Sequence, residues 1–572
     1  MFRSLLLAVG LLVLGCDSAE STLCPSGTLR RGDACVSIAS IPKKDLPKVV
    51  RVSTVGFVSN TAKQASYAGP ASTFVIRRAE DDSVIFPDAP APSGPALNGA
   101  DSGEPEIHVV DFTDLGEPGE YYVDVSGVGL SEHFRIADDV FVEPFRAAML
   151  GMYGWRCGSA VSFSWQGQDY GHGDCHQGDG PAVGGWHDAG DYGKYTNNGA
   201  FSLGVMLLAW DHFRTRLENV VLDVPEQDNG IPDYLDECAY QLGWLLGMQL
   251  ADGGVSDRIT AANFDGLSTM PEASTALRKM SDPSTKATAD FAAVAAHASR
   301  IFREFDPDLA DRLEQAAGRA WQYLLDNTTP VPPPVSGFTG SYGAGSNPDP
   351  DTDDRAWAAA EIFELNGDTD ALAAFEAVSS MLIVQSYWDW DNVANLGIFT
   401  YLGSTREGRG DTPLLHLTAS LQNTASVLAD SATKHPYGRS LGPTYNWGIN
   451  GTIARTSLAL VLAARFDPDN ERRYFDAVSQ QLGHLFGRNF YGRSFVTGVG
   501  LNPPLHPHHR PSIGDGIEPP WPGLLVGGPS KGDAPVPATL WVDSQDDFTS
   551  NEVAINWNAP FIYALAAFLP EP

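Results

Sequence analysis

The stretch ATADFAAVAAHASRIF, residues 287–302, decides the fold class of this chain. Apolar residues recur along it at three- and four-residue intervals, which is the period of an α-helix. They cover almost the whole circumference of that helix, and a helix that is apolar nearly all round lies inside a large assembly. The stretch therefore predicts a buried helix at the centre of a helical domain.

Similar patterns follow one another from about Val140 to the C-terminus. They include AFSLGVMLLAWDHF (200–213), RAWAAAEIFEL (355–365) and EVAINWNAPFIYALAAF (552–568). No strand-like run separates them, which argues against a parallel α/β design. Ten or more helices in about 430 residues fit a helical barrel. Two long irregular stretches, 328–354 and 502–540, carry Trp, His and Asp, and long loops of this kind usually carry function.

The preceding region, from about Val49, has a different pattern. Short runs of alternating apolar and polar residues, such as STFVIRRA (72–79) and EYYVDVSGV (120–128), are separated by turn residues. About ninety residues of strands without helices predict a β-sandwich in front of the helical domain.

The N-terminus carries an export signal. Arg3 is followed by the apolar stretch Leu5–Leu14, which is too short to span a bilayer permanently. The sequence VLGC (13–16) resembles a bacterial lipobox, whose cysteine is lipidated and begins the mature chain. We therefore expect a signal peptide (1–15), a lipidated Cys16 and a lipid-anchored tether (16–46), as in an exported lipoprotein of the cell envelope or surface. An ordinary signal peptide on a secreted protein is the alternative.

Composition limits the partners of the chain. Its 572 residues carry 37 Lys+Arg against 71 Asp+Glu, a formal net charge of −34. Nucleic acid and anionic lipid both need basic patches, so we exclude nucleic acid and expect membrane contact only through the lipid anchor. With 43% hydrophobic and only 19% charged residues, the chain is folded rather than disordered. We expect a monomer.

Six cysteines are too few for a disulfide scaffold, although export permits disulfides. Cys24 and Cys35 enclose ten residues of polar, Gly/Pro-containing sequence, so we expect a local bridge, with two free thiols as the alternative. Four zinc ligands follow the spacing C-x17-C-H-x10-H, namely Cys157, Cys175, His176 and His187. A Cys157–Cys175 disulfide is the alternative interpretation.

Two acidic clusters near opposite ends of the helical region indicate acid–base chemistry. The segment GGWHDAGDYGKY (184–195) places Asp188 and Asp191 three residues apart among glycines and aromatic residues; helix capping is the alternative. Such a carboxylate pair holds and deprotonates a water, and its neighbour Trp186 offers a flat face for a sugar ring. Glu552 begins the last helical pattern, where it either balances the helix dipole or protonates a leaving group. Glycoside hydrolysis uses separated acids of this kind.

Two further clusters are candidates for binding. A basic group in this acidic chain comprises His506, His508, His509 and Arg510. It suits hydrogen bonding to a polar substrate, with a second zinc site as the runner-up. Oxygen ligands gather in NPDPDTDD (347–354) and at Asp389 and Asp391, where either calcium or open solvent offsets their repulsion.

These blocks together resemble glycoside hydrolase family 9, a family of endoglucanases and cellobiohydrolases. GGWHDAGDYGKY is similar to its N-terminal active-site motif, and SFVTGVG (494–500) with Asn502 and PHHR (507–510) is similar to its histidine signature. Its acidic signature is matched by Trp541, Asp543, Phe548, Glu552, Ala554, Asn558 and Ala559. The N-terminal β region resembles the immunoglobulin-like module of one subgroup.

The resemblance implies an all-α (α/α)6 barrel catalytic domain (139–572), preceded by a small all-β immunoglobulin-like sandwich (47–138). It implies an endoglucanase that cleaves β-1,4-glucosidic bonds of cellulose, related β-glucans or cello-oligosaccharides with inversion, without an organic cofactor. An exo-acting β-glucosidase or cellobiohydrolase, or a glucosaminidase on short oligosaccharides, is the alternative. A binding protein without turnover is disfavoured, because all three candidate acids are present.

The resemblance also assigns roles at the active site. By motif position, Asp191 is the general base, Asp188 helps to hold the water, and Glu552 is the general acid. Inversion leaves room for that water, so we expect roughly 6.5–9.5 Å between the base and acid carboxyls. His508 and Arg510 would contact sugar near the cleavage point. Asp543 matches the other acidic position of the signature, without a distinct step.

Substrate and metal contacts complete these expectations. Tyr445 and Trp447 lie in YNWGIN, which resembles a segment that lines the cleft, with Trp447 as a stacking platform. The Cys157/Cys175/His176/His187 set resembles the structural zinc site of the subgroup. The residues that resemble a calcium site are Asp353, Asp354 and Asp391.

Overall fold

The computed structural model describes residues 28–31, 34–37, 48–89, 97–99, 101–333, 336–340, 351–443, 445–532 and 536–571. In the tether region, β1 (Thr28–Arg31) pairs antiparallel with β2 (Ala34–Ser37). Cys16 and Cys24 lie outside the described residues, so the lipid anchor and the Cys24–Cys35 disulfide stay predictions.

The N-terminal module consists of two facing sheets. Its strands are β3 (Lys48–Val50), β4 (Gln64–Ala68), β5 (Phe74–Arg78), β6 (Val84–Ala89), β7 (Leu97–Gly99), β8 (Glu104–Asp111), β9 (Gly119–Val125), β10 (Gly129–Ser131) and β11 (Phe134–Ile136). One sheet has the order β3-β10-β9-β5-β6, with β11 paired to β9, and the other has the order β4-β8-β7.

Alternating side chains build the core between these sheets. Ile76 on β5 and Val110 on β8 come from different sheets and are both fully buried. The ring of Phe57 packs edge-on against Phe112 and Phe134, at centroid distances of 5.5 and 5.3 Å. Both sheets therefore bury their inner faces in one core, and the predicted β-sandwich is confirmed.

The rest of the chain is helical. Its α-helices are α1 (Val142–Gly154), α2 (Thr196–Leu217), α3 (Asp233–Gly247), α4 (Thr285–Phe302), α5 (Pro307–Asp326), α6 (Thr352–Asn366), α7 (Thr369–Val378), α8 (Ala394–Gly403), α9 (Asp411–Lys434), α10 (Ile449–Phe466), α11 (Glu471–Leu485), α12 (Arg510–Gly514), α13 (Phe548–Asn551) and α14 (Ile555–Ala566).

The long helices alternate between two layers. In the inner layer, α2 packs against α4 and α14, α6 packs against α4 and α8, and α10 packs against α14. The outer helices α1, α3, α5, α7, α9 and α11 alternate with these six along the chain. Every residue from Ala287 to Phe302 on α4 except Arg300 is buried, as its apolar circumference predicts. The predicted (α/α)6 barrel is confirmed.

Short strands lie in the connections between helices, and the sequence did not predict them. They are β12 (Val161–Trp165), β13 (Gln168–His172), β14 (Lys194–Tyr195), β15 (Val255–Ser256), β16 (Arg258–Ala261), β17 (Arg278–Met280) and β18 (Pro283–Ser284). The sheet β14-β16-β17 fixes the backbone just after Asp191. In the described parts of the chain, no helix is both long and apolar enough to cross a membrane.

The β module is tied to the helical domain by a buried carboxylate. Asp101, between β7 and β8, is only 5% exposed. Its Oδ2 accepts a hydrogen bond from the Tyr445 hydroxyl at 3.1 Å and pairs with the His435 ring at 3.1 Å. Its carbonyl oxygen accepts from the Ala538 N–H at 2.7 Å. The module thus touches the segments that lead to Trp447 and to Glu552.

Candidate active site

Glycines shape the loop that carries Asp188 and Asp191, which we call the acid loop (184–195). Gly185 has a positive φ of 71°, a conformation that L side chains rarely adopt. A Cβ on Gly190 would lie 2.1 Å from the carbonyl oxygen of His508, so only glycine lets these two segments meet. The loop is therefore shaped for a close approach to the His508 segment rather than for a helix cap alone.

Asp188 is held on three sides. It is 1% exposed, and its Oδ1 accepts a hydrogen bond of 2.6 Å from Asn198 Nδ2 on the first turn of α2. Its N–H donates to the Gly193 carbonyl at 2.9 Å, and its own carbonyl accepts from the Ile555 N–H at 3.0 Å. The side chain is thus fixed between the acid loop, α2 and α14.

Asp191 is half-buried beside positive charge. Burial raises the pKa of its carboxyl above the usual value. The Gly193 N–H, which donates to Oδ1 at 2.5 Å, and the guanidinium groups of Arg510 and Arg278 act in the opposite direction and stabilise the anion. These donors favour an ionised Asp191, the form that accepts a proton.

Glu552 differs from Asp191 in the charges near it. It follows α13 directly and is half-buried. Burial is the largest cause that raises the pKa of its carboxyl well above the usual value, and the negative charges of Asp191 and Asp188 raise it further. Arg510 opposes this shift only in part. Glu552 is therefore set to keep its proton, which is the form a general acid needs.

His508 and Arg510 join the two acidic segments. The His508 N–H donates to the Asn551 carbonyl at 2.8 Å, next to Glu552. Its Nδ1 lies 2.6 Å from the Gln545 carbonyl, and because burial lowers the pKa of the ring, the neutral form that donates from Nδ1 fits this contact. Arg510 Nη1 donates to the Gly190 carbonyl at 2.7 Å. Both residues thus connect the segments that carry the candidate base and acid, and their contact with sugar stays a prediction.

The other histidines of the basic cluster have different surroundings. His506 is exposed, whereas His509 is 1% exposed, with its Nδ1 2.9 Å from Ser512 Oγ and its ring packed edge-on against Trp155 and Trp521. Among the described residues, these histidines form no group of metal ligands. The geometry gives no support to the runner-up zinc site in this cluster, which stays a prediction.

Asp543 accepts hydrogen bonds rather than facing open space. Its carboxylate receives Arg493 Nη2 at 3.0 Å, the Leu505 N–H at 3.0 Å, the His506 N–H at 2.9 Å and Asn551 Nδ2 at 3.2 Å. Three of these donors lie just before His508 or Glu552 in the chain, namely Leu505, His506 and Asn551. Asp543 therefore fixes the backbone that presents those two residues.

Of the three aromatic residues predicted to bind substrate, only Trp447 is exposed, at 45%. Its ring lies 6.1 Å from that of Phe548, which in turn lies 6.1 Å from the ring of His508. The predictions for Tyr445 and Trp186 are wrong, because each is 1% exposed. Tyr445 bonds Asp101, and Trp186 donates from Nε1 to Glu237 Oε1 at 2.6 Å.

The four predicted zinc ligands converge. The atoms that Cys157, Cys175, His176 and His187 offer all lie within 4.8 Å of one another. His176 Nδ1 lies 3.5 Å from Cys157 Sγ and 3.3 Å from His187 Nε2, and that Nε2 lies 3.8 Å from Cys175 Sγ. Tetrahedral zinc with bonds of about 2.0–2.3 Å places its ligands roughly 3.3–3.8 Å apart. The donor set therefore fits zinc, and both cysteines are free thiols rather than a disulfide.

The three predicted calcium ligands do not come together in this way. Asp353 and Asp354 are buried at the start of α6, whereas Asp391 is exposed before α8. Asp353 Oδ2 accepts from the Val393 N–H at 2.8 Å, and Lys286 Nζ lies 3.7 Å from Asp354 and donates to the Asp391 carbonyl at 3.2 Å. The described residues contain no metal-ligand group at these carboxylates, so calcium stays a prediction.

Two buried side chains that support the acid loop were missed in the sequence. Lys194 is unexposed, and its Nζ donates to the carbonyls of Ala182 and Gly184 at 2.7 and 2.9 Å and pairs with Asp179 at 3.1 Å. Asn198, which holds Asp188, is also unexposed. Lys194 lies inside the GGWHDAGDYGKY motif, which was a usable signal, whereas nothing in the sequence distinguishes Asn198 from a helix-capping asparagine.

Comparison with known proteins agrees with this geometry. The model "Glycosyl hydrolase family 9" matches residues 141–565, and "Cellulase N-terminal ig-like domain" matches residues 46–130. Endoglucanase D of Acetivibrio thermocellus is 42% identical over 564 residues, which cover 95% of this chain and 87% of that protein. A xyloglucan-specific endo-beta-1,4-glucanase of Bacteroides ovatus is 30% identical and covers 94% of this chain and 95% of its own length.

A solved structure is similar over most of the chain. It is described as a Zn-binding triple mutant of GH family 9 endoglucanase J30, with a TM-score of 0.83 and 31% sequence identity. The match covers 90% of this chain and 100% of that chain. With its paired acidic segments and its β module, this chain belongs to glycosyl hydrolase family 9.

Proposed function

We propose that the protein is an inverting endo-β-1,4-glucanase in which Asp191 is the general base and Glu552 the general acid. One observation carries this assignment, namely that the two carboxyl groups, which are both half-buried, differ in the charges near them. The Gly193 N–H, Arg510 and Arg278 lower the pKa of Asp191, whereas the carboxylates of Asp191 and Asp188 raise the pKa of Glu552 well above its usual value and Arg510 offsets this only in part. One group is thus set to accept a proton and the other to donate one.

The arrangement supports a single displacement. Asp188 and Asp191 hold a water against the anomeric carbon, and Asp191 takes a proton as the water oxygen forms its bond to that carbon. The bond to the glycosidic oxygen breaks, and Glu552 gives its proton to that oxygen. Because the water enters opposite the leaving group, the product sugar has the inverted anomeric configuration.

Trp447 and the basic residues supply the binding surface for the glucan. Trp447 and Phe548 present adjacent exposed rings beside His508, and the apolar face of a glucose ring stacks on such surfaces. His508 and Arg510 offer polar groups next to the acids for sugar hydroxyls. The substrate class is therefore a neutral β-glucan or cello-oligosaccharide.

Cys157, Cys175, His176 and His187 are the residues that would hold a structural zinc ion. Bound zinc would supply a cross-link between the segment that follows α1, the segment after β13 and the acid loop, with no part in bond cleavage. His187 precedes Asp188, so the cross-link would fix the backbone of the water-holding residue. A calcium ion at Asp353, Asp354 and Asp391 stays part of the proposal on the density of oxygen ligands alone.

The N-terminal sequence supports export as a lipoprotein with the domain division predicted above. Its apolar stretch and lipobox favour cleavage before Cys16 and retention at the cell envelope or surface. Mass spectrometry of the protein from its own membrane fraction tests this. A diacylated Cys16 is the expected result, and a soluble mature protein with an unmodified N-terminus would contradict the lipid anchor.

The stereochemistry and size of the products test the enzymatic proposal. Proton NMR during the first minutes of cellopentaose hydrolysis should show the α-anomer at the new reducing end; an initial β-anomer would refute inversion. On carboxymethylcellulose and mixed-linkage glucan we expect viscosity to fall early, with mixed oligosaccharide products. Release of only glucose or cellobiose, or turnover of chito-oligosaccharides alone, would favour the exo-acting or glucosaminidase alternative.

A further inference from the structure

Asn198 contacts the candidate active site without reaching the substrate side. It lies on the first turn of α2, is unexposed, and donates from Nδ2 to Asp188 Oδ1 at 2.6 Å. An amide N–H is a donor without charge, so this contact orients the carboxylate without neutralising it. The short distance and the absence of solvent make it a strong constraint on the side-chain torsions of Asp188.

The orientation of Asn198 is fixed by a second asparagine. The same Nδ2 lies 3.4 Å from Asn556 Oδ1, on the first turn of α14. Asn556 uses its own Nδ2 to donate to Asp389 Oδ1 at 2.8 Å. Because the carboxylate of Asp389 accepts only N–H or O–H groups, Asn556 must turn its oxygen towards Asn198. The two hydrogens of Asn198 Nδ2 are then donated to Asp188 and to Asn556.

A buried arginine anchors the far end of this chain of contacts. Arg455 is 1% exposed and pairs through Nη2 with Asp389 Oδ2 at 2.8 Å. Its Nη1 donates to the Asn556 carbonyl at 3.2 Å. The series Arg455–Asp389–Asn556–Asn198–Asp188 thus connects α10, α14 and α2 across the inner layer of the barrel.

The same contacts join the two acidic segments. Asn556 lies four residues after Glu552, and its neighbour Ile555 donates its N–H to the Asp188 carbonyl at 3.0 Å. A shift of α14 therefore moves both the residue that holds the water and the backbone next to the acid.

We propose that Asn198, oriented by Asn556, is a positioning residue that sets the Asp188 carboxylate for the attacking water. This inference rests on the proposed hydrolase mechanism. Misplacement of a reacting group by about 1 Å costs on the order of 100-fold in rate. Asn198 and Asn556 affect the bond-cleaving step and contact no sugar. Their loss therefore lowers kcat and leaves KM unchanged.

The test compares Asn198→Ala with Asn197→Ala. Asn197 is the adjacent residue on α2, is 1% exposed, and donates to Asp290 Oδ2 at 2.7 Å instead of to an active-site residue. Each variant removes one buried asparagine amide that donates a short hydrogen bond to a carboxylate, so both melting temperatures should fall, that of Asn198→Ala somewhat further because its longer contact with Asn556 is also lost. Only Asn198→Ala should lose kcat on cellopentaose, by roughly 10- to 100-fold, with KM within about twofold.

A second variant keeps the inference testable if Asn198→Ala does not fold. Asn556→Ala leaves the Asn198–Asp188 contact but frees its orientation, so we expect a smaller loss of kcat, about 3- to 10-fold, again at constant KM. Wild-type kcat in either folded variant, or an equal loss in Asn197→Ala, would overturn the positioning role while the wild-type glucanase stays active. A wild-type protein that does not hydrolyse any β-glucan would overturn the proposed function and this inference with it.

Discussion

The acid loop and the segment around Glu552 supply the same chemical group in different surroundings. The carboxylates of the acid loop accept hydrogen bonds, Asp188 from the Asn198 amide on α2 and Asp191 from the Gly193 N–H. Glu552 instead faces both of those carboxylates from a buried position. The difference teaches that the role of each carboxyl group follows from what surrounds it, since an anion needs donors and a proton-carrying acid needs burial and negative neighbours.

The largest effect should come from removal of either carboxyl group. Asp191→Asn and Glu552→Gln are expected to lower kcat on mixed-linkage glucan by about 10²–10⁴-fold, because each removes one proton transfer. The matched control is Asp469→Asn, which changes an exposed carboxyl group in the turn before α11, outside the site, and should leave kcat unchanged. Near-normal turnover in Asp191→Asn or Glu552→Gln would mean that its role is misassigned.

Arg510 affects both the candidate base and the candidate acid, so removal of its charge tests the electrostatic account of both. It lowers the pKa of Asp191 and of Glu552, so Arg510→Gln should raise both. Activity appears as Asp191 ionises and disappears as Glu552 loses its proton, so both limbs of the kcat/KM profile should move to higher pH. A profile with both limbs unmoved, or with the limbs moved in opposite directions, would contradict this electrostatic account.

Removal of metal tests the support of the acid loop. Chelation of the purified protein should release zinc and lower the melting temperature by about 5 °C, because an ion bound only by the native state stabilises it. Cys157→Ser should reproduce this shift and no longer respond to the chelator, whereas Cys238→Ser should keep the zinc and respond to the chelator as the wild type does, since Cys238 is a buried free cysteine outside the ligand group. If the purified protein contains no zinc and its melting temperature does not change with chelators, the proposed cross-link is refuted.

The smallest effect should come from the aromatic stacking surface, which is not part of the surroundings of either catalytic carboxyl group. Trp447→Ala is expected to raise KM for cello-oligosaccharides about 3- to 10-fold with little change in kcat, because one ring contact is lost. Leu415→Ala on α9 is the control, as Leu415 is 75% exposed and belongs to no part of the site. An unchanged KM in Trp447→Ala would place the glucan elsewhere.

Sequence patterns predicted the long elements well. The apolar circumference of 287–302 identified an inner helix because burial on every side leaves a direct mark on composition. The spacing of Cys157, Cys175, His176 and His187 predicted a ligand set because few other constraints place those residue types together. The sheet β14-β16-β17 was missed because strands of two to four residues are too short to show a period.

Side-chain exposure could not be predicted in the same way. Trp186 and Trp447 are both tryptophans within signature segments, yet one is buried against Glu237 and the other is 45% exposed. Tyr445 is covered by Asp101 from the β module, more than three hundred residues away in the chain. Such contacts depend on the packing of distant elements, so no local pattern reports them. Asn198 was missed for the same reason.

The central claim is that Asp191 is the base and Glu552 the acid, and aryl β-cellobiosides with different leaving groups test it most directly. A dinitrophenolate leaves without protonation, whereas a phenolate needs an acid. Glu552→Gln should therefore hydrolyse the dinitrophenyl substrate within about tenfold of the wild-type rate but lose the phenyl substrate, and Asp191→Asn should lose both. If Asp191→Asn hydrolyses the dinitrophenyl substrate at close to the wild-type rate and Glu552→Gln does not hydrolyse it, the assignment is contradicted.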